Sequence, residues 1–194
     1  MKAVISGCGG LGDLRKDTDY IVHKGVAGGM IIVAVDTSEA FEDGMAQEIA
    51  QRIIYEWEGE PQLSEERLQE CLQVGTQISS KISVTILVLD KKEMGIAHNG
   101  NNKIFHIMEG QIDDLTIPEE ETGMVDIYEY TAKPEDAFVV MTDGFASYIQ
   151  EQEVLIDYTK SRTPKDLISY LSTRVGLRQK ECFDSYTAMA LIFE

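Results

Sequence analysis

The chain has 194 residues, 43% hydrophobic and 26% charged, which suits one soluble domain with a substantial core. Its net charge of −17 argues against nucleic acid, whose phosphates it would repel, and against docking on an anionic membrane; basic partners and divalent cations stay compatible. Cys8, Cys71 and Cys182 include no Cys-x-x-Cys pair, against a zinc knuckle or disulfide scaffold. No apolar run approaches the roughly 20 residues that span a bilayer. The opening Met1 to Gly7 is too short and too soon interrupted by glycine for a signal peptide, so a cytoplasmic protein is expected.

Lys2 to Cys8 predicts a first strand. Gly7-Cys8-Gly9-Gly10-Leu11-Gly12 is a literal G-x-G-x-x-G, with Asp36 later at a strand end, the pattern of a dinucleotide site. That site needs a helix from Asp13 onward, yet Asp13 to Asp19 is polar and has no apolar stripe. Tyr20 to His23 then reads as a strand, so the strand–helix–strand unit is missing and the glycines are read as a flexible loop.

Met30 to Val35 is a strongly apolar strand ending in Asp36. Phe41, Met45, Ile49, Ile53 and Trp57 form one helical stripe. A second helix starts after Ser64, an N-cap followed by Glu65 and Glu66, with Leu68, Leu72, Gly75, Ile78 and Ile82 as its stripe. Val84 to Leu89, Gly95 to His98 and Lys103 to Met108 read as a meander with turns at Asp90–Glu93 and Asn99–Asn102. Val125 to Tyr130 is a further strand, after an acidic loop containing Glu119, Glu120 and Glu121. Phe138 to Met141 is an apolar strand that runs into Thr142-Asp143-Gly144, where a helix can start. Thr163-Pro164 caps a helix with Gly176 at its end, and Tyr186 to Phe193 is the last strand. There are no repeats and no linker; one domain is expected.

Asp36 and Asp143 terminate apolar strands, Asp184 precedes one and Asp19 opens one. Hard divalent cations prefer oxygen ligands, and carboxylates delivered from several strand ends can share two of them. Such a pair can activate water and neutralise a phosphoryl group. The bland alternative is a set of strand-end turns, because convergence in space is not visible in sequence.

The order of these motifs resembles the metal-dependent, type 2C serine/threonine protein phosphatases, in their compact bacterial form. Arg15 to Asp19 matches the family's Arg-rich loop loosely; Val33-Ala34-Val35-Asp36 matches its strand–Asp motif, with Gly44 eight residues on. Met141-Thr142-Asp143-Gly144 and Asp184-Ser185-Tyr186-Thr187 match the two closing motifs, and Asn99 to Asn102 stands where Gly-Asp-Ser is expected. The resemblance implies an α+β fold, a four-layer α-β-β-α sandwich of two antiparallel sheets flanked by helices. It implies a single domain over residues 1–194, without a large flap subdomain.

It also implies two Mn²⁺ or Mg²⁺ ions and hydrolysis of phosphoserine or phosphothreonine in a protein partner by a metal-activated water. By the resemblance, Asp36 bridges both metals, Asp143 and Asp184 are direct ligands, Asp19 lies in or near the second shell, and Thr37 offers its backbone carbonyl. Arg15 is the candidate for gripping phosphate, with Lys16 in reserve. Three departures stand out: Thr37-Ser38 replaces Gly-Met at a turn, Asn101 replaces an aspartate, and Ser147 stands where many members have another. The last two predict an absent or feeble third metal site. Together the three motivate the alternative expectation, a catalytically dead pseudophosphatase serving as a regulatory binding module, while the survival of Asp36, Asp143 and Asp184 carries the active reading. His23, His98 and His106 are read as structural or surface residues, and Cys8 as exposed but unactivated.

Overall fold

A computed structural model describes residues 2–10, 17–26, 29–37, 40–116, 123–178 and 185–194. The chain divides into two compact units, Met1–Arg15 with Lys103–Thr116 and Ala132–Glu194, and Lys16–Asn102 with Ile117–Thr131.

The first unit holds strands β1 (Ala3–Gly10), β6 (Lys103–Met108), β7 (Gln111–Asp114), β9 (Ala137–Met141) and β10 (Tyr186–Phe193). They form a five-stranded sheet in the order β1-β10-β9-β6-β7, every pair antiparallel. Alternate residues Phe105, Ile107, Val139, Met141, Ala188 and Ala190 face helices α3 (Asp143–Ala146), α4 (Glu151–Lys160) and α5 (Pro164–Arg178), whose Phe145, Val154, Leu167 and Leu171 complete the core. The other face of these strands, Ile104, Phe138, Val140 and Leu191, is buried as well. That is why β9 reads as an unbroken apolar run rather than an alternation.

The second unit holds β2 (Asp19–Val26), β3 (Gly29–Asp36), β4 (Ser83–Leu89), β5 (Glu93–Asn99) and β8 (Met124–Glu129), antiparallel and in that order across the sheet. Helices α1 (Met45–Gly59) and α2 (Glu65–Thr76) pack Ile49, Ile53, Trp57, Leu68 and Leu72 on Ile31, Val33, Val84 and Ile86. Ser64 caps α2 by accepting the Arg67 amide at 3.2 Å. Arg67 also donates to the carbonyls of Glu56 and Glu60, tying the end of α1 to the start of α2. Gly75 lets α2 sit close, since a Cβ there would lie 2.6 Å from Val84. The two antiparallel sheets, each with helices on a face, are the α+β architecture expected.

Several local expectations are corrected. The meander is split: β4 and β5 pair, but β6 joins the other sheet, so Asn99 to Asn102 is a crossover and not a hairpin. Gly100 sits there at φ +98°, and the Ser83 hydroxyl accepts the Asn101 amide, fastening the turn to the start of β4. Two elements escaped the periodicity reading, β7 and α4. The β6–β7 turn places Glu109 and Gly110 both at positive φ, a type I′ geometry that Glu-Gly does not advertise. The glycines Gly7, Gly9 and Gly10 are strand residues paired with β10, not a loop. A Cβ at Gly10 would stand 2.6 Å from the Tyr186 ring, so the glycine makes room for that aromatic. Helix α2 stops before Ile78 and Ile82, and α5 runs past Gly176 to Arg178.

Candidate functional site

In the second unit, Asp19 and Asp36 are cross-strand partners at the end of the β2–β3 ladder. Direct partners of that kind hold their Cα atoms about 4.5–5.5 Å apart, so the two carboxylates start from neighbouring positions. Asp19 is buried, and its Oδ1 accepts the Thr18 hydroxyl at 3.2 Å. Thr37 donates both its amide, at 2.8 Å, and its hydroxyl, at 3.0 Å, to the Thr18 carbonyl. The residue after one aspartate is thereby fastened to the residue before the other. Among the described residues only Glu109 and Glu135 are non-glycines at positive φ, so Thr37 carries no left-handed strain. Asp43, just ahead of α1, accepts the Asp17 amide at 3.0 Å and secures the approach to Asp19.

In the first unit, β9 ends at Met141 and α3 begins at Asp143. Gly144 allows two stretches of backbone to meet there. It is a close approach: a Cβ would lie 2.1 Å from the Ser185 carbonyl oxygen. Thr142 and Thr187 grip one another through backbone and hydroxyl. The Asp143 side chain is half-buried, and its Oδ1 is sealed from solvent with no hydrogen-bond partner among the described residues. An unpaired buried carboxylate oxygen is costly, and a cation relieves that cost, so this donor fits a hard metal ion. Ser147 is exposed, and its hydroxyl is spent on the Asp143 carbonyl of its own turn at 2.8 Å.

Arg15, Lys16 and Asp184 lie outside the described residues, as do Glu119, Glu120 and Glu121. Among the described residues no three His, Cys, Asp or Glu side chains gather closely enough to hold a metal ion. Nor, among them, is any helix long and apolar enough to cross a membrane.

No protein-family model and no curated protein matches the sequence. Solved structures do match. A serine/threonine phosphatase of S. agalactiae aligns over 100% of both chains with a TM-score of 0.77 at 16% identity. The chain has the fold of the type 2C serine/threonine phosphatases. RsbX in complex with magnesium shares this phosphatase fold at a TM-score of 0.71 and 14% identity, over 99% of this chain and 96% of that one. The catalytic domain of PstP in complex with two manganese ions does so at 0.67 and 13%, over 98% and 99%.

The three histidines take structural or exposed places. His98 is fully buried, its Nε2 2.7 Å from the Gly100 carbonyl and its Nδ1 2.8 Å from the Thr85 hydroxyl. The Gly100 carbonyl can only accept, so Nε2 is the donor there, and the ring holds the 99–102 crossover. His106 stacks on Phe138 at 4.4 Å, and burial lowers its pKa. His23 is exposed. Cys8 is half-buried in β1 rather than exposed in a loop; its thiol is 3.1 Å from the Ser172 hydroxyl, and burial pushes its pKa up. What the sequence reading missed is Thr18, Thr142 and Thr187. The signal was there, a threonine just before Asp19 and Asp143 and one closing the Asp184 motif, but only their hydrogen bonds say what they are for.

Proposed function

We propose that this chain is a metal-dependent serine/threonine protein phosphatase acting on phosphoserine or phosphothreonine in a partner protein. Residues 1–194 form its single catalytic domain; the first unit draws on three chain segments and the second on two, so neither arises from one contiguous stretch. On this reading Asp36, Asp143 and Asp184 would hold two Mn²⁺ or Mg²⁺ ions, with Asp19 in a supporting place and the Thr37 carbonyl as a further oxygen donor. Arg15 orients the phosphate through its planar, bidentate guanidinium. When bound, such ions lower the pKa of water and offset phosphoryl charge. The protein's own part is to fix carboxylates in place before substrate arrives: Thr18 holds Asp19, and the strand register sets Asp36 opposite it.

The observation that carries this reading is the buried Oδ1 of Asp143, without a hydrogen-bond partner among the described residues, at the start of α3 just past the end of β9. A carboxylate kept ready and unsatisfied is what a metal ligand needs and what a turn-forming aspartate avoids. The test is phosphate release from phosphoserine and phosphothreonine peptides with Mn²⁺, with Mg²⁺ and with chelator, for wild type and Asp143→Asn. We expect metal-dependent release in wild type and a loss of about a hundredfold or more in the variant. Equal release with chelator would refute the metal reading.

The pseudophosphatase reading is favoured by one observation: Ser147 stands where many type 2C phosphatases have an aspartate, and its hydroxyl donates to the Asp143 carbonyl. It predicts phosphopeptide binding without turnover.

A further inference from the structure

The strand-to-helix junction at Asp143 poses a bookkeeping problem for the backbone. An antiparallel ladder continued past Ala188↔Met141 would next have Thr142 and Thr187 exchange two amide–carbonyl bonds. One of them forms: the Thr142 amide donates to the Thr187 carbonyl at 3.0 Å. The other cannot form in the usual way, because the Thr142 carbonyl is already taken. It accepts the amides of Phe145 at 3.1 Å and Ala146 at 2.9 Å, the bonds that begin α3. The Thr187 amide turns instead to the Thr142 hydroxyl at 2.9 Å, and that hydroxyl donates back to the Thr187 carbonyl at 3.2 Å.

We propose that Thr142 is a positioning residue for Asp143, its hydroxyl standing in for its own carbonyl in the β9–β10 ladder so that the chain turns helical at Asp143 while still clamped to β10. Two further facts agree. Thr142 is the N-cap of α3 yet makes no side-chain cap, its hydroxyl being committed across the strands. Thr142 is also completely buried, so water cannot replace that hydroxyl. A side chain without one forces the Thr142 carbonyl to choose between ladder and helix, and either choice moves the Asp143 carboxylate. This inference rests on the metal-binding reading above.

The experiment is calorimetric titration of Mn²⁺ into wild type, Thr142→Val and Thr142→Ser, each checked for folding by thermal unfolding. Valine keeps the shape and removes the hydroxyl; serine keeps the hydroxyl. Mn²⁺ affinity is expected to fall about tenfold or more in Thr142→Val and to stay within about threefold in Thr142→Ser, the size typical of groups that orient a ligand. A purely structural threonine would change the melting temperature of the valine variant and leave its metal affinity alone, and that result overturns the proposal. Should Thr142→Val fail to fold, the serine variant decides: near-normal affinity supports the proposal, and a tenfold loss with the hydroxyl retained overturns it. Wild type that binds no Mn²⁺ removes the phosphatase reading and this inference together. Undiminished binding by Thr142→Val removes only the inference.

Discussion

Gly144 offers a sharp test of how tightly the Asp143 segment is held. Its φ is not among the positive values, so Gly144→Ala carries no torsional penalty and its cost is steric. The new Cβ would lie 2.1 Å from the Ser185 carbonyl oxygen and 3.3 Å from its carbon, where real contacts with a Cβ begin near 3.0 Å. Both obstacles are backbone, with no flexible side chain to give way. The two segments must therefore part by roughly 1 Å, an overpacking strain of about 1–3 kcal/mol. The same movement stretches the Thr142–Thr187 bonds, now at 2.9, 3.0 and 3.2 Å, beyond hydrogen-bonding range. Losing one or two of them adds about 1 kcal/mol each, for a total of about 2–5 kcal/mol. Urea denaturation of wild type and Gly144→Ala measures this directly, the shift in midpoint giving the change when the slope is unaltered. A variant within about 0.5 kcal/mol of wild type would refute the close approach on which the argument stands.

Gly176→Ala is expected to do the opposite. Gly176 lies inside α5 with open space around its Cβ direction and no positive φ, so alanine should stabilise the chain by about 0.5–1 kcal/mol; a lower unfolding midpoint would contradict that. Glu153 sets a pH dependence. The Arg178 guanidinium, with Arg174 nearby, holds its carboxyl well down, from 4.5 to about 2, so its contribution is fully present above pH 4.5 and is lost as pH falls towards 2. With Arg178 41% exposed, solvent screening limits this to about 1 kcal/mol. The stability gap between wild type and Glu153→Gln should shrink to under half between pH 6 and pH 3, and a gap unchanged over that range would sink the assignment.

Much of the fold was legible because central strands here are buried on both faces. Met30 to Val35 and Phe138 to Met141 carry solid apolar runs, and Ser64 announces α2 by the side chain that caps it. Where local signals were weak, the reading failed for identifiable reasons. Gln111–Asp114 has one apolar residue in four and is a strand because it pairs with β6. Gly7 to Gly10 look like a loop by propensity, but pairing with β10 overrides propensity, and at Gly10 the Tyr186 ring takes the space a side chain would fill.

By itself, then, the sequence determined where most of the strands and helices lie and that Asp19 and Asp36 stand at strand ends, since caps, periodicity and apolar runs act over a few residues. Only the tertiary structure decided which strands are neighbours. It sent β6 away from β5, set β10 between β1 and β9, and brought Thr142 to Thr187 across 45 residues of chain. Pairings of that range depend on the free energy of a whole packed sheet against the entropy of closing long loops, and no local stretch of residues encodes that balance.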